Sequence, residues 1–249
     1  MIVTDLDGTL LREDKSISAY TKDVINKCRM AGIKLAFATG RGTAFKVAPK
    51  ELFDGRITNN GAIAKAGDVI VYNKLIPYQV ARPILMACDK QGLNIVSQAG
   101  MHYSNFKVSD IWPWLTEFKI VDFAEHDKDA EKLYTNAPTP ETTEFINSLL
   151  PEDLYSVATY DITGYLLQIM HKEATKGNAV LTLARHWNIQ PSEIVTFGND
   201  LNDIDMLAAV DFGVAVENAF DEVKAAAKYI CGSNEENGPA KWISENVLI

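Results

Sequence analysis

The sequence predicts an α/β protein, a Rossmann-like three-layer core on a parallel sheet with an inserted α+β segment, and three observations predict it. Residues 1–60 alternate short apolar runs with stretches of helical period. After Pro77 that alternation stops, and from Lys176 it resumes. A β-α-β-α-β order is the signature of a parallel sheet covered by helices on both faces. With 249 residues the chain is long enough for one large domain or two modest ones.

Met1 to Asp5 is an apolar run ending in acids and Gly8, the pattern of a buried strand. From Ser18, the residues Thr21, Val24, Ile25 and Cys28 recur at helical spacing, and Gly32 is a natural stop. Lys34 to Thr39 reads as the second strand, Thr43 to Phe53 as a helix, and Arg56 to Asn59 as a third strand. Ala62 to Tyr72 has an Ala-Gly-Asp turn between apolar runs, which predicts a hairpin. The insert, residues 77–173, reads as a helix (Tyr78 to Gln91), a hairpin around Ala99-Gly100, and an aromatic-rich segment (Tyr103 to Phe118). A strand near Leu133, a helix (Thr139 to Leu149), and strands near Tyr155 and over Leu166 to Met170 complete it. The core, residues 1–76 and 174–249, then continues with a helix (Lys176 to Trp187), a strand (Glu193 to Phe197) and a helix (Leu201 to Ala209). A strand (Phe212 to Val216), a helix (Ala219 to Ala227) and a closing strand at Tyr229 follow.

Composition narrows the function. Lys plus Arg number 24 against 33 Asp plus Glu, a net charge of −9 that opposes nucleic acid and anionic membranes. Cys28, Cys88 and Cys231 are odd in number and far apart, which predicts reduced core thiols rather than disulfides or a metal site. The first residues lack the basic and apolar pattern of a signal peptide and no long apolar run occurs, so the expectation is a cytoplasmic protein.

Four short segments carry the chemistry. Asp5-Leu-Asp7-Gly-Thr-Leu10 falls where the first strand runs out, the edge at which open α/β sheets bind ligands. Two carboxylates at i and i+2 on an extended segment point the same way. Asp5 can then attack an electrophile while Asp7 moves a proton, with a cation between or beside them. Ala38-Thr-Gly-Arg41 ends the second strand, where a hydroxyl and backbone N–H groups can hold a phosphate oxygen. Lys176 opens the first helix after the insert, an ammonium suited to phosphate. Gly198-Asn-Asp-Leu-Asn-Asp203 follows a strand and opens a helix. Asn199 and Asp203 share one face there, as a site for a hard cation would need.

The order of these segments resembles the haloacid dehalogenase-like phosphohydrolases, specifically the Cof-type subgroup with a cap inserted after the third strand. Asn60-Gly-Ala62, Lys176-Gly177, Asp203-Ile-Asp-Met-Leu207, Val216-Glu-Asn-Ala219 and Ser233-Asn-Glu-Glu-Asn-Gly238 extend the likeness over nearly the whole chain. The resemblance implies a nucleophilic Asp5, an acid/base Asp7, and phosphate contacts from Thr39, Gly40 and Lys176. It also implies Mg²⁺ held by Asp5, the Asp7 main-chain carbonyl, Asn199 and Asp203. The family usually has Gly-Asp where this chain has Gly198-Asn199. An amide oxygen brings no charge, which leaves Asp200 or Asp203 to supply the missing carboxylate, directly or through water.

The expected activity is therefore hydrolysis of small phosphomonoesters, sugar phosphates first, through an aspartyl-phosphate. A phosphosugar mutase is the rival. It needs a grip on a second phosphate, and between Pro77 and Lys172 the one arginine is Arg82, although six lysines, Lys132 among them, lie there. An inactive phospho-ligand sensor would be expected to lose Asp5 or Asp7. Tyr103, Trp112 and Trp114 read first as core, with a sugar-stacking surface as the alternative.

Overall fold

In the computed structural model the described residues are 1–42, 50–136, 138–161 and 164–248. They form two units, Met1–Asn73 with Thr175–Ile249, and Lys74–Ala174. The first unit begins with β1 (Ile2–Thr4), α1 (Ala19–Met30), β2 (Leu35–Ala38), β3 (Gly55–Thr58), β4 (Ile63–Ala66) and β5 (Val69–Asn73). The second holds α2 (Tyr78–Lys90), β6 (Ile95–Ala99), β7 (Met101–Ser104), β8 (Phe118–Ile120), β9 (Lys132–Asn136), α3 (Pro140–Ser148), β10 (Leu154–Asp161) and β11 (Gly164–His171). The first unit resumes with α4 (Lys176–His186), β12 (Val195–Gly198), α5 (Ile204–Ala208), β13 (Phe212–Val216), α6 (Asp221–Ala226), β14 (Tyr229–Cys231) and α7 (Gly238–Asn246).

The first unit is built on one sheet of eight strands in the order β14-β13-β12-β1-β2-β3-β4-β5, parallel from β14 to β3 and antiparallel thereafter. Strand alternation makes the layers. Ile2 and Leu35 face a core with Val24, Ile25 and Cys28 of α1 and Ile243 of α7. Val3, Ala36 and Ala38 face the opposite core, with Val180 and Leu183 of α4 and Met206 of α5. Ser18 starts α1 as expected, its Oγ accepting the Thr21 N–H at 3.0 Å. The chain runs outward from β1 in one direction through β2 and β3, and in the other through β12 to β14. The strand order therefore reverses between β1 and β12, and the loops after β1, β2 and β12 meet at the carboxyl edge where such sheets bind ligands.

The second unit has a six-stranded sheet, β10-β11-β9-β6-β7-β8, antiparallel except for β7 beside β8. Ile84 and Leu85 of α2 and Ile146 of α3 cover one face, packing on Ile95, Leu133, Leu167 and Ile169. On the other face Val108 and Trp112 pack on Val96 and Tyr134. Trp112 is thus core, whereas Trp114 is half exposed at 51%.

Several expectations are revised. Ile76 is buried in the second unit and bridges Ala130, so the first crossing falls before it, at Asn73 and Lys74. The expected helix over Leu201 to Ala209 begins as a 3-10 turn, Leu201–Asp203, because the Asp203 carboxylate folds back onto the N–H groups of Asn199 and Asp200 and tightens the first turn. Tyr229 does not close the fold, since α7 follows, entered through Asn237 at φ 59° and a proline in its first turn. The aromatic segment contributes β8 at its end. Most of the helix expected from Thr43 to Phe53 lies outside the described residues; Lys50–Leu52 forms a 3-10 turn. The three cysteines are buried free thiols. No helix among the described residues is long and apolar enough to cross a membrane.

Candidate active site

The loop after β1 is pinned from several sides. Asp5 donates its N–H to Phe197 O of β12 at 2.9 Å, and Leu11 closes a turn onto Leu6 O at 2.8 Å. Leu6, Leu10, Leu11 and Ile17 pack on Phe37, so the loop carries its own apolar anchor. Gly8 sits at φ +79°, and a Cβ there would lie 2.7 Å from the Asn199 amide nitrogen. Asn218 Nδ2 donates to Gly8 O at 2.8 Å and Asn234 Nδ2 to Leu11 O at 2.9 Å, while Asn218 Oδ1 accepts the Asn234 N–H. These asparagines belong to the stretches Val216–Ala219 and Ser233–Gly238, whose work is to hold the loop in shape.

Asp5 and Lys176 are buried at 6% and 1% exposure. Lys176 Nζ donates to Asp5 Oδ1 at 2.8 Å and to Asp203 Oδ1 at 2.6 Å. Asp203 Oδ2 accepts the Asn199 and Asp200 N–H groups at 2.9 and 3.0 Å. Both Asp203 oxygens are therefore engaged, one with the ammonium and one with the loop backbone. Burial works against the Lys176 charge, but Asp203 and Asp5 outweigh it and hold the group protonated, above the ordinary lysine range. Burial pushes the Asp5 carboxyl up to about 7; Lys176 opposes that rise and the Asp203 charge adds to it.

Asp7 has different partners. Arg41 grips it with a fork, Nε to Oδ2 and Nη2 to Oδ1, both at 2.6 Å, and Lys15 Nζ reaches Oδ1 at 2.8 Å. Burial raises the Asp7 pKa, but these hydrogen bonds and charges overcome it and hold the carboxyl below the usual range. The strand ends at Thr4 and Asp7 lies beyond it in a turn, so strand alternation does not govern its side chain. Instead of sharing one cation, the two carboxylates have separate ones. Neither Arg41 nor Lys15 had been marked by sequence reasoning; Arg41 was within reach as the residue closing Ala38-Thr-Gly-Arg41, whereas nothing local singles out Lys15.

Thr39 is buried, and its Oγ1 accepts the Arg41 N–H at 3.2 Å. A Cβ at Gly40 would meet Asn60 Oδ1 at 2.7 Å, so a larger residue there would have to push the Asn60 side chain aside. Asn199 Oδ1 accepts from Thr9 Oγ1 at 2.7 Å, and exposed Asp200 accepts the Leu201 N–H at 2.7 Å. Oxygen donors suit a hard divalent cation. The Asp5 carboxylate, the Asp7 carbonyl and the Asn199 amide oxygen are donors of that kind at the carboxyl edge of the sheet. Among the described residues no cluster of three or more His, Cys, Asp or Glu forms a metal cage. The donor set fits a cation that keeps several waters, as Mg²⁺ does.

Similarity to known proteins covers the whole chain. The haloacid dehalogenase-like hydrolase family signature matches residues 2–243. A Haemophilus influenzae protein bearing a provisional phosphatase name is 30% identical over 98% of this chain and 97% of its own. A phosphoglycolate phosphatase of Methanothermobacter thermautotrophicus is 23% identical over 97% of this chain and 96% of its own. Among solved structures, a sugar phosphatase of haloacid dehalogenase subclass IIB superposes with a TM-score of 0.82 at 26% identity, covering 100% of this chain and 99% of that one.

Proposed function

The chain belongs to the haloacid dehalogenase-like hydrolases and is a phosphoric monoester hydrolase, and from that premise we propose that it hydrolyses small phosphomonoesters, sugar phosphates first, through an aspartyl-phosphate on Asp5. The observation that carries the reading is the buried Asp5–Lys176–Asp203 arrangement at the sheet's carboxyl edge, with Asp7 on the adjoining turn. A buried carboxylate beside a fixed ammonium is a nucleophile with positive charge already in place for a phosphoryl group.

In the first step an Asp5 oxygen attacks phosphorus, the bond to the ester oxygen breaks, and Asp7 gives that oxygen a proton. In the second, Asp7 takes a proton from water, the water oxygen attacks phosphorus, and the Asp5–phosphorus bond breaks to release phosphate. Lys176 balances charge on the transferring group, and Thr39 with the Gly40 backbone receives its oxygens. Mg²⁺, held by Asp5, the Asp7 carbonyl and Asn199, supplies charge neutralisation when bound. Asp203 acts through others, fixing Lys176 and the Asn199–Asp200 backbone.

The likeness to a subclass IIB sugar phosphatase and to a phosphoglycolate phosphatase supports a small phosphorylated metabolite as substrate. The test is phosphate release from a panel of sugar, nucleotide and cofactor phosphates with Mg²⁺. EDTA and Asp5→Asn should each abolish it. Full turnover by Asp5→Asn would remove the covalent mechanism, and a preference for phosphoprotein or polynucleotide ends would remove the substrate class.

A further inference from the structure

Asp7 stands on a turn, so two torsions are free to swing its carboxyl group unless something fixes its plane. Arg41 does so. Its Nε and Nη2 make parallel 2.6 Å bonds to the two oxygens, the bidentate geometry that sets orientation as well as charge. The fork is itself anchored, because the Arg41 N–H donates to Thr39 Oγ1 at 3.2 Å and its carbonyl accepts the Asn59 N–H at 2.8 Å. Asn59 holds a left-handed backbone, φ 51°, to make that contact.

Lys15 acts on the same carboxylate from the other side of the loop. It sits at φ 64°, strained for a residue with a Cβ, in a turn closed by its N–H to Arg12 O at 2.9 Å. Its ammonium donates to Oδ1 at 2.8 Å. Oδ1 thus receives two hydrogen bonds, from Arg41 Nη2 and Lys15, while Oδ2 receives one, from Arg41 Nε. A carboxylate oxygen has two lone pairs. Oδ1 is filled, and Oδ2 is the oxygen left with a lone pair to face a reacting group.

We infer that Arg41, assisted by Lys15, is a positioning residue that aims Oδ2 of Asp7 at the leaving-group oxygen. The inference rests on the acid/base reading of Asp7 proposed above. It separates Arg41 from the groups that grip the phosphoryl oxygens, since the fork is spent on Asp7.

A leaving-group series tests it, because protonation matters for a poor leaving group and little for a good one. The enzyme with Mg²⁺ is assayed on alkyl phosphates and on 4-nitrophenyl phosphate, comparing wild type, Asp7→Asn, Arg41→Gln, Arg41→Lys and Lys15→Met. Asp7→Asn should steepen the dependence on leaving group. Arg41→Gln should do the same, lowering kcat for alkyl phosphates on the order of 10²-fold and for the aryl ester under ~3-fold, with KM little changed, as loss of a positioned general acid requires. Arg41→Lys, which keeps the charge without the fork, should fall between, and it serves equally if the glutamine variant is unstable. Lys15→Met should give the smaller steepening.

Equal losses on both substrates, or a rise in KM with kcat held, would make Arg41 a phosphate contact and overturn the inference. An unaltered dependence in Asp7→Asn would instead strike the acid/base reading itself. The two failures are thereby distinct.

Discussion

Thr9 Oγ1 donates a 2.7 Å hydrogen bond to Asn199 Oδ1, tying the turn after β1 to the loop after β12. This bond orients the amide oxygen and leaves it one lone pair. A carboxylate at the same place would accept from Thr9 equally well and add a negative charge beside Asp5. Asn199→Asp should therefore preserve activity and lower the Mg²⁺ concentration for half-maximal rate, and its Tm should rise more on adding Mg²⁺ than that of the wild type. Asn199→Ala should raise the Mg²⁺ requirement, and Thr9→Val should raise it less. Rates and melting curves across a Mg²⁺ series decide. If Asn199→Ala melts lower while its Mg²⁺ dependence is unchanged, Asn199 is a structural tie between the loops and no ligand.

Asp203 and Asp200 should differ sharply under substitution, for a reason of packing rather than ligation. Asp203 is fully buried, bonded to Lys176 and two N–H groups, whereas Asp200 is exposed and caps the turn that follows it. Removing one partner from a buried ion pair costs about 3–5 kcal/mol, because the other charge is left uncompensated. Losing an exposed cap costs about 1 kcal/mol. Urea midpoints should rank Asp203→Ala far below Asp200→Ala. The pair Lys176→Met with Asp203→Leu should lose less together than the sum of the single losses, since the two residues are coupled. Additive losses would show that the Lys176–Asp203 contact carries no stability of its own.

Local sequence made the strand ends and most helices legible, and with them the placement of Asp5, Thr39 and Lys176, because the first two sit where an apolar strand stops and the third where a helical period starts. What stayed hidden depends on long-range pairing. Lys176 reads from the chain as a candidate phosphate contact. Its burial between Asp5 and Asp203 arises only when α4 and the β12 loop meet. Asp203 reads as a cation ligand from its helical offset to Asn199, yet the fold turns both of its oxygens inward. Arg41 and Lys15 converge on Asp7 from separate loops, and no spacing rule links them. The helix α7 was missed because its nine residues offer too few apolar turns to stand out from a polar tail.

Asn60-Gly61-Ala62 is one of the stretches that carry the family resemblance, and the structure gives Gly61 a physical reason. Its φ is +100°, and a Cβ there would lie 2.1 Å from the Thr175 carbonyl oxygen, in the residue that caps α4. Gly61→Ala combines backbone strain with a backbone clash that no side-chain movement can relieve. It should lower Tm strongly and displace Lys176, the next residue in the chain, so activity falls even where the protein remains folded. Gly32→Ala, at φ +76° with nothing within 4 Å of the added carbon, should cost only about 1 kcal/mol. Similar melting losses for the two would discount the clash with Thr175.

The second unit should be acid-labile in a window set by His102. Burial, aided by the nearby Lys132 charge, pushes the His102 pKa down from 6.5 to about 4. Tyr134 OH lies 2.9 Å from its Nδ1, and the rings meet edge on. The unfolded chain, with an ordinary histidine, binds a proton that the folded state refuses between those two values. Stability is therefore whole above about pH 6.5, falls as pH drops toward about 4, and loses nothing more from this group below that. His126, buried and 3.1 Å from Ser97 Oγ, is shifted in the same direction and adds to the fall. His102→Gln removes the titrating group, so its Tm, lower than wild type at pH 8, should decline less between pH 7 and 4.5. The check is a melting series across that range for wild type, His102→Gln and the double variant with His126→Gln. Parallel decline in all three would mean that carboxylates rather than these histidines set the acid limit.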